Sequence, residues 1–138
     1  MLFRPLDFAS GEGFERAVTM FESYARTKGL ELYGPLIIRA EPQIVGMRTE
    51  IRSYLMGQVR SAPRATEAPY DFSQYVRAEN CLMARYSGPE DSLPVAYSKL
   101  QVYAFENGLR LSDTVYTVYV DDGEDDSVMV DVFVEVQE

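Results

Sequence analysis

Histidine and tryptophan are absent from this 138-residue chain, and cysteine occurs once, at Cys81. Without histidine, Ser–His and Cys–His nucleophile pairs have no base, and most zinc sites lose a ligand. One cysteine forms no internal disulfide, which fits a reducing compartment. Cys81 lies in the apolar run CLMA and reads as a buried structural thiol. No apolar run is long enough to span a bilayer, and the N-terminus has no signal-peptide pattern. A soluble, cytoplasmic protein without a membrane partner is expected. Positive charge is also scarce: 13 Lys and Arg stand against 22 Asp and Glu, a net charge of −9. Direct nucleic-acid binding is disfavoured, because phosphate binding needs a concentrated basic surface. Cationic ligands or basic protein partners suit the charge better. No metal or cofactor motif is visible. The acidic run DDGEDD at 121–126 lacks the spacing and distal glutamate of a calcium loop, and reads as a solvated hairpin turn.

What the chain does have is an internal echo. Residues 14–32, FERAVTMFESYARTKGLEL, align without a gap on residues 93–111, LPVAYSKLQVYAFENGLRL. Ala17, Tyr24, Ala25, Gly29, Leu30 and Leu32 fall on Ala96, Tyr103, Ala104, Gly108, Leu109 and Leu111. In both stretches the apolar positions follow i, i+3, i+4, i+7, i+10, i+11, one stripe of an amphipathic helix. A glycine ends each helix, where a left-handed C′ residue is favoured.

The flanking sequence reads as strands. Residues 2–8 form a short strand whose Pro5 belongs on an edge. Ser10 is the expected cap of the first helix, and Ser92 or Asp91 that of the second, with Pro94 in its first turn. Residues 36–41 and 44–56 form a hairpin turning at Glu41-Pro42-Gln43. In its second strand Thr49, Ile51, Ser53 and Leu55 share one face, and Arg48, Glu50, Arg52 and Tyr54 the other. Residues 57–69 read as an exposed connection, residues 70–77 as an added strand and residues 81–86 as another. Residues 114–120 and 128–136 form the last hairpin, with Val128, Val130, Val132, Val134 and Val136 on a core face. Register with Leu36, Ile38 and Ala40 is expected to put Tyr116, Val118 and Val120 on the core face and Tyr119 on the other.

The expected fold is α+β. Two pseudo-symmetric strand-helix-strand-strand repeats form one antiparallel sheet with both helices on one face. A single domain spans 1–138: repeat one at 1–59, linker and added strand at 60–79, repeat two at 80–138. The helix-free side would be concave, and a cleft between paired halves is a natural ligand site.

This arrangement resembles the GyrI-like superfamily over nearly the whole chain. That superfamily includes the effector-binding domains of multidrug-responsive transcription activators and stand-alone relatives. Arg85-Tyr86-Ser87-Gly88-Pro89 looks like its strand-to-helix turn, and residues 97–108 look like its helix ending at glycine. Residues 115–122, VYTVYVDD, are similar to its tyrosine-containing strand. Thr49-Glu50-Ile51 matches its Thr-Glu-Ile triplet, and Val130-Asp131-Val132 occupies the same place in the second half. The family's Ile-Pro-Val after the triplet is missing, as are its tryptophan and the Gly-Pro turn of the first half. No helix-turn-helix module precedes the domain, so the chain is not expected to be a DNA-binding regulator.

The resemblance implies a pocket for hydrophobic, often cationic, small molecules. Glu50 and Asp131 become the candidate acids, and Tyr119, Tyr54 and Phe133 the candidate lining. Each has a plainer reading. Glu50 lies between Arg48 and Arg52, with Arg39 expected on the paired strand, so it can be a cross-strand ion pair. The tyrosines can be sheet packing. Three functions stay open. The first is a stand-alone module binding a hydrophobic or cationic small molecule in the cleft, without cofactor. The second is a protein-interaction module with a vestigial pocket. The third is a small hydrolase using Glu50 or Asp131 as general base, which needs a raised carboxylate pKa and a positioned water.

Overall fold

The structure, a computed structural model, describes residues 1–6, 13–89, 92–122 and 127–137. Among these residues it is an α+β protein with two helices and one antiparallel sheet of seven strands. In chain order the elements are β1 (Leu2–Leu6), α1 (Phe14–Thr27), β2 (Leu32–Val45), β3 (Arg48–Val59), β4 (Asp71–Phe72), β5 (Cys81–Pro89), α2 (Pro94–Glu106), β6 (Arg110–Asp122) and β7 (Ser127–Gln137). The strands lie side by side as β4-β1-β3-β2-β6-β7-β5. In the first half β1 pairs with β3 and β3 with β2; in the second, β5 pairs with β7 and β7 with β6. Pairing of β2 with β6 joins the halves.

Both helices end in the same hydrogen-bond pattern. The Leu30 N–H donates to the Ala25 carbonyl at 2.8 Å, and Gly29 N–H to Arg26 at 3.0 Å. In α2 the corresponding bonds are Leu109 to Ala104 at 2.8 Å and Gly108 to Phe105 at 3.3 Å. This is the Schellman motif, and its C′ residue must be left-handed. Gly29 has φ +69° and Gly108 φ +65°. The buried positions correspond as well: Ala17, Phe21 and Ala25 in α1, Ala96, Leu100 and Ala104 in α2.

Facing residues in antiparallel pairs share a face of the sheet, so register defines two surfaces. Leu55, Ile38, Thr117, Val132 and Ala84 make one continuous row across β3, β2, β6, β7 and β5. Leu55 and Ile38 belong to the cluster of Leu2, Leu6, Phe21, Ala25 and Leu30. Val132 and Ala84 belong to the cluster of Leu93, Leu100, Val128, Val130 and Val134. Gly57 is part of this packing, because a Cβ there would stand 2.8 Å from Phe21 Cε1.

Several boundaries differ from the sequence reading. The first hairpin turns at Gly46 and Met47, and Pro42 lies inside β2. β2 pairs with β6 only over residues 37–40, so Pro42 can turn the position of its missing N–H away from any neighbour. The added strand shrinks to Asp71–Phe72. Helix α1 is preceded by Gly13, and Ser10 lies outside the described residues. Leu93, not Ser92, is the N-cap of α2, while Asp91 is outside the described residues. The 121–126 turn lies outside them too, apart from the backbone of Asp121 and Asp122.

The connection after β3 is anchored. Glu67 accepts a hydrogen bond from Tyr24 Oη at 2.7 Å and pairs with Lys28, holding its carboxyl below the usual range. Tyr70 stacks on Tyr24 with ring centroids 3.7 Å apart. Residues 73–80 then run from β4 on one sheet edge to β5 on the other. Seven strands leave six gaps, about 29 Å at the usual spacing. Cys81 also sits four residues before Arg85, whereas Phe72 lies level with Leu2 and Gly57. On a flat sheet the diagonal is about 33 Å. The chain from Phe72 to Cys81 reaches at most about 32 Å. Residues 73–80 are therefore a strap that crosses the sheet with little slack.

Candidate functional site

The second surface carries the row Phe3, Met56, Ile37, Val118, Asp131, Arg85. Its neighbour is Pro5, Tyr54, Arg39, Tyr116, Phe133, Met83. Where these rows cross β2, β6 and β7 a cleft of about 160 Å³ opens. Ile37, Met56, Tyr116, Val118 and Phe133 form its floor, and Val76 and Ala78 of the strap lean over it. The lining is almost wholly apolar, and burial pushes the Tyr116 hydroxyl pKa up.

Phe133 is the candidate residue that lines the cleft itself. Arg39 and Tyr54 flank it on the same row, the Arg39 guanidinium lying 5.4 Å from the Tyr54 ring centroid. Phe3 meets Tyr54 edge to face at 6.3 Å. Arg39 Nη2 donates to Glu41 at 2.9 Å. Its Nε is buried and lacks a hydrogen-bond partner, the one such side-chain atom among the described residues.

Asp131 is also on this surface, but it is not a free acid. Arg85 Nε donates to Oδ1 at 2.8 Å and Nη2 to Oδ2 at 3.0 Å. This fork holds the Asp131 carboxyl below its ordinary range. A general base needs the opposite shift. Sequence reading missed the partner because Arg85 is 46 residues away and meets Asp131 only through the β5–β7 register.

Glu50 is far from the cleft. It sits on the hairpin arm beyond the β2–β6 pairing, 3.7 Å from Arg48, with its side chain 41% exposed. The expected pair with Arg39 does not form, because Arg39 lies opposite Tyr54 and bonds Glu41.

Tyr119 is a correction. It lies in the second core cluster and stacks on Phe14 of α1 with centroids 5.6 Å apart. Tyr116 and Val118, expected in the core, face the cleft instead. The strand reads TVYTVYV, apolar on both faces, so alternation alone does not choose its orientation. What fixes it is Thr117, buried and hydrogen-bonded through its hydroxyl to Tyr97 Oη at 2.8 Å. The deciding feature is the pairing of Ile37 with Val118, which puts Val118 on the face opposite core-facing Leu36 and Ile38 and which no local sequence signal carries. Cys81 is half-buried, its thiol pKa raised by burial and then by Glu135.

No protein-family model matches the chain, and no curated protein matches it. No helix among the described residues is long and apolar enough to cross a membrane.

Proposed function

We propose that the protein is a small-molecule-binding module that takes a hydrophobic ligand in the cleft beneath residues 73–80. The carrying observation is the position of that cleft: an apolar hollow where the two halves meet, roofed by the segment that links them. The same proposal includes a GyrI-like arrangement of two pseudo-symmetric repeats with both helices on one face. Supporting it are the matched caps at Gly29 and Gly108, the mirrored strand pairings and the Leu55–Val132 row shared by the two clusters. Cationic ligands lose support, because Asp131 and Glu41 already hold arginines and Glu50 lies elsewhere.

A protein-interaction reading has one observation in its favour. Arg16, Ser23 and Arg26 of α1 correspond to Val95, Val102 and Phe105 of α2, and these three are exposed, Phe105 by 87%. An apolar outer stripe is unusual on a helix that faces water alone. The hydrolase reading has no such support.

A thermal-shift screen of neutral aromatics, hydrophobic cations and organic anions tests the main proposal, since a native-state ligand raises Tm by mass action. Neutral aromatics are expected to raise Tm in the wild type and not in Val118→Lys, whose side chain enters the cleft. Shifts that persist in Val118→Lys, or a flat screen, speak against it.

A further inference from the structure

We propose that the protein forms a homodimer through the outer face of α2, two copies of that helix lying antiparallel about a two-fold axis at Val102. This face is on the side of the sheet opposite the cleft, and the contact does not depend on what the cleft binds.

Helix α2 is apolar on two sides. Leu93, Ala96 and Leu100 pack on the valine face of β7. Val95, Ser98, Val102 and Phe105 lie on the far side, at spacings of three, four and three residues. That is the seam spacing of two packed helices. Val95 is 50% exposed, Val102 55% and Phe105 87%. A helix that is apolar all round is normally covered all round. The matching positions of α1 are Arg16, Thr19, Ser23 and Arg26, a face suited to water. Tyr24 of α1 stacks on Tyr70 and bonds Glu67, whereas its counterpart Tyr103 is 52% exposed.

Charge and size along the seam select a second copy as the occupant. The chain carries −9, so two copies repel unless they meet where charge balances. Helix α2 holds one base and one acid, Lys99 and Glu106. Both are exposed, and neither pairs within the chain among the described residues. Seven residues apart, they share one flank of the seam. Antiparallel helices related by a two-fold axis bring like flanks together. With Val102 on the axis, Lys99 of each copy stands level with Glu106 of the other, and the contact is self-complementary. The same alignment sets the large Phe105 against the small Ser98 of the other copy, and Val95 near Leu109, itself 36% exposed. A parallel pair would set Phe105 against Phe105 and leave Lys99 without Glu106.

The 13 residues of α2 give a footprint of about 20 Å by 10 Å. This is below the standard interface of about 800 Å² per partner, so a reversible, micromolar dimer is expected.

Sedimentation equilibrium of the purified full chain over a concentration series tests the contact. The wild type is expected to dimerise with rising concentration. Phe105→Ser should stay monomeric at the same concentrations with unchanged far-UV circular dichroism, because Phe105 is outside the core. Lys99→Glu and Glu106→Lys each set like charges opposite one another twice. Each should weaken self-association about tenfold, the scale of replacing two weak attractions by two repulsions. An equimolar mixture of these two variants should dimerise as the wild type does, because each copy then faces its opposite charge. A wild type that is monomeric throughout overturns the proposal. So does a dimer that Phe105→Ser keeps, and so do charge variants that associate like the wild type or fail to recover on mixing.

Discussion

Arg85 grips Asp131 across the β5–β7 pair with two nearly parallel hydrogen bonds, 2.8 and 3.0 Å long. Because the bond favours the ionised carboxylate, Asp131 has a folded pKa below its ordinary value of 3.8. A lowered carboxylate pKa adds stability above the ordinary value and loses it as pH falls through the folded one. Arg85→Ala should therefore melt below the wild type at pH 7, with the gap closing as pH is taken below about 4. Melting curves across that range check this. A gap that stays constant would mean the pair contributes no linked stability.

Gly57 leaves room for Phe21. An alanine Cβ would stand 2.8 Å from Phe21 Cε1 and 3.0 Å from Leu32 Cδ2, both in packed surroundings. Overpacking of this kind costs roughly 1–3 kcal/mol. Urea denaturation of Gly57→Ala should show that loss with an unchanged m-value.

The two helix caps give a matched pair of tests. Nothing lies within 4 Å of a Cβ built on Gly29 or Gly108, so only backbone strain opposes alanine there. A left-handed L-residue costs about 1–2 kcal/mol. Gly29→Ala and Gly108→Ala should be destabilised by similar amounts in urea. A large difference would separate the halves energetically despite their shared hydrogen bonds.

Those caps were legible in the sequence, and so was the helix stripe that buries Ala17, Phe21 and Ala25. Period, glycine position and apolar spacing are local signals, and local signals survive in one chain. The face of Val128, Val130, Val132 and Val134 was equally plain, because valine recurs at every second position while Met129, Asp131, Phe133 and Glu135 share the other side. Tyr119 was misplaced because β6 is apolar on both faces and carries register shifts beside Tyr119 and Leu111. The Arg85 partner of Asp131 and the Glu41 partner of Arg39 depend on pairing and rotamer, which periodicity does not carry. Residues 73–80 were hardest: they follow the polar linker GQVRSAPRATEAP at 57–69, and most of them read as the end of an added strand at 70–77, with nothing to mark a strap. Only the strand order, which puts β4 and β5 on opposite edges, shows that the chain must cross the sheet.

That crossing has a consequence for access. Four Gly and Ser residues inserted after Gln74 add about 13 Å of reach. The slackened strap should let Val76 and Ala78 lift and expose Met56, Val118 and Phe133. Fluorescence of an apolar dye should rise in the insertion variant over the wild type, with the melting transition kept cooperative. Unchanged fluorescence would mean the strap does not control the cleft.

The most direct measurement is an NMR titration of a neutral aromatic compound, acetophenone, into isotope-labelled protein, following methyl and aromatic signals. The account predicts shifts concentrated at Ile37, Met56, Tyr116, Val118, Phe133 and Val76. Shifts centred on the outer stripe of α2 or on the hairpin arm around Glu50, or no shifts at millimolar ligand, would contradict it.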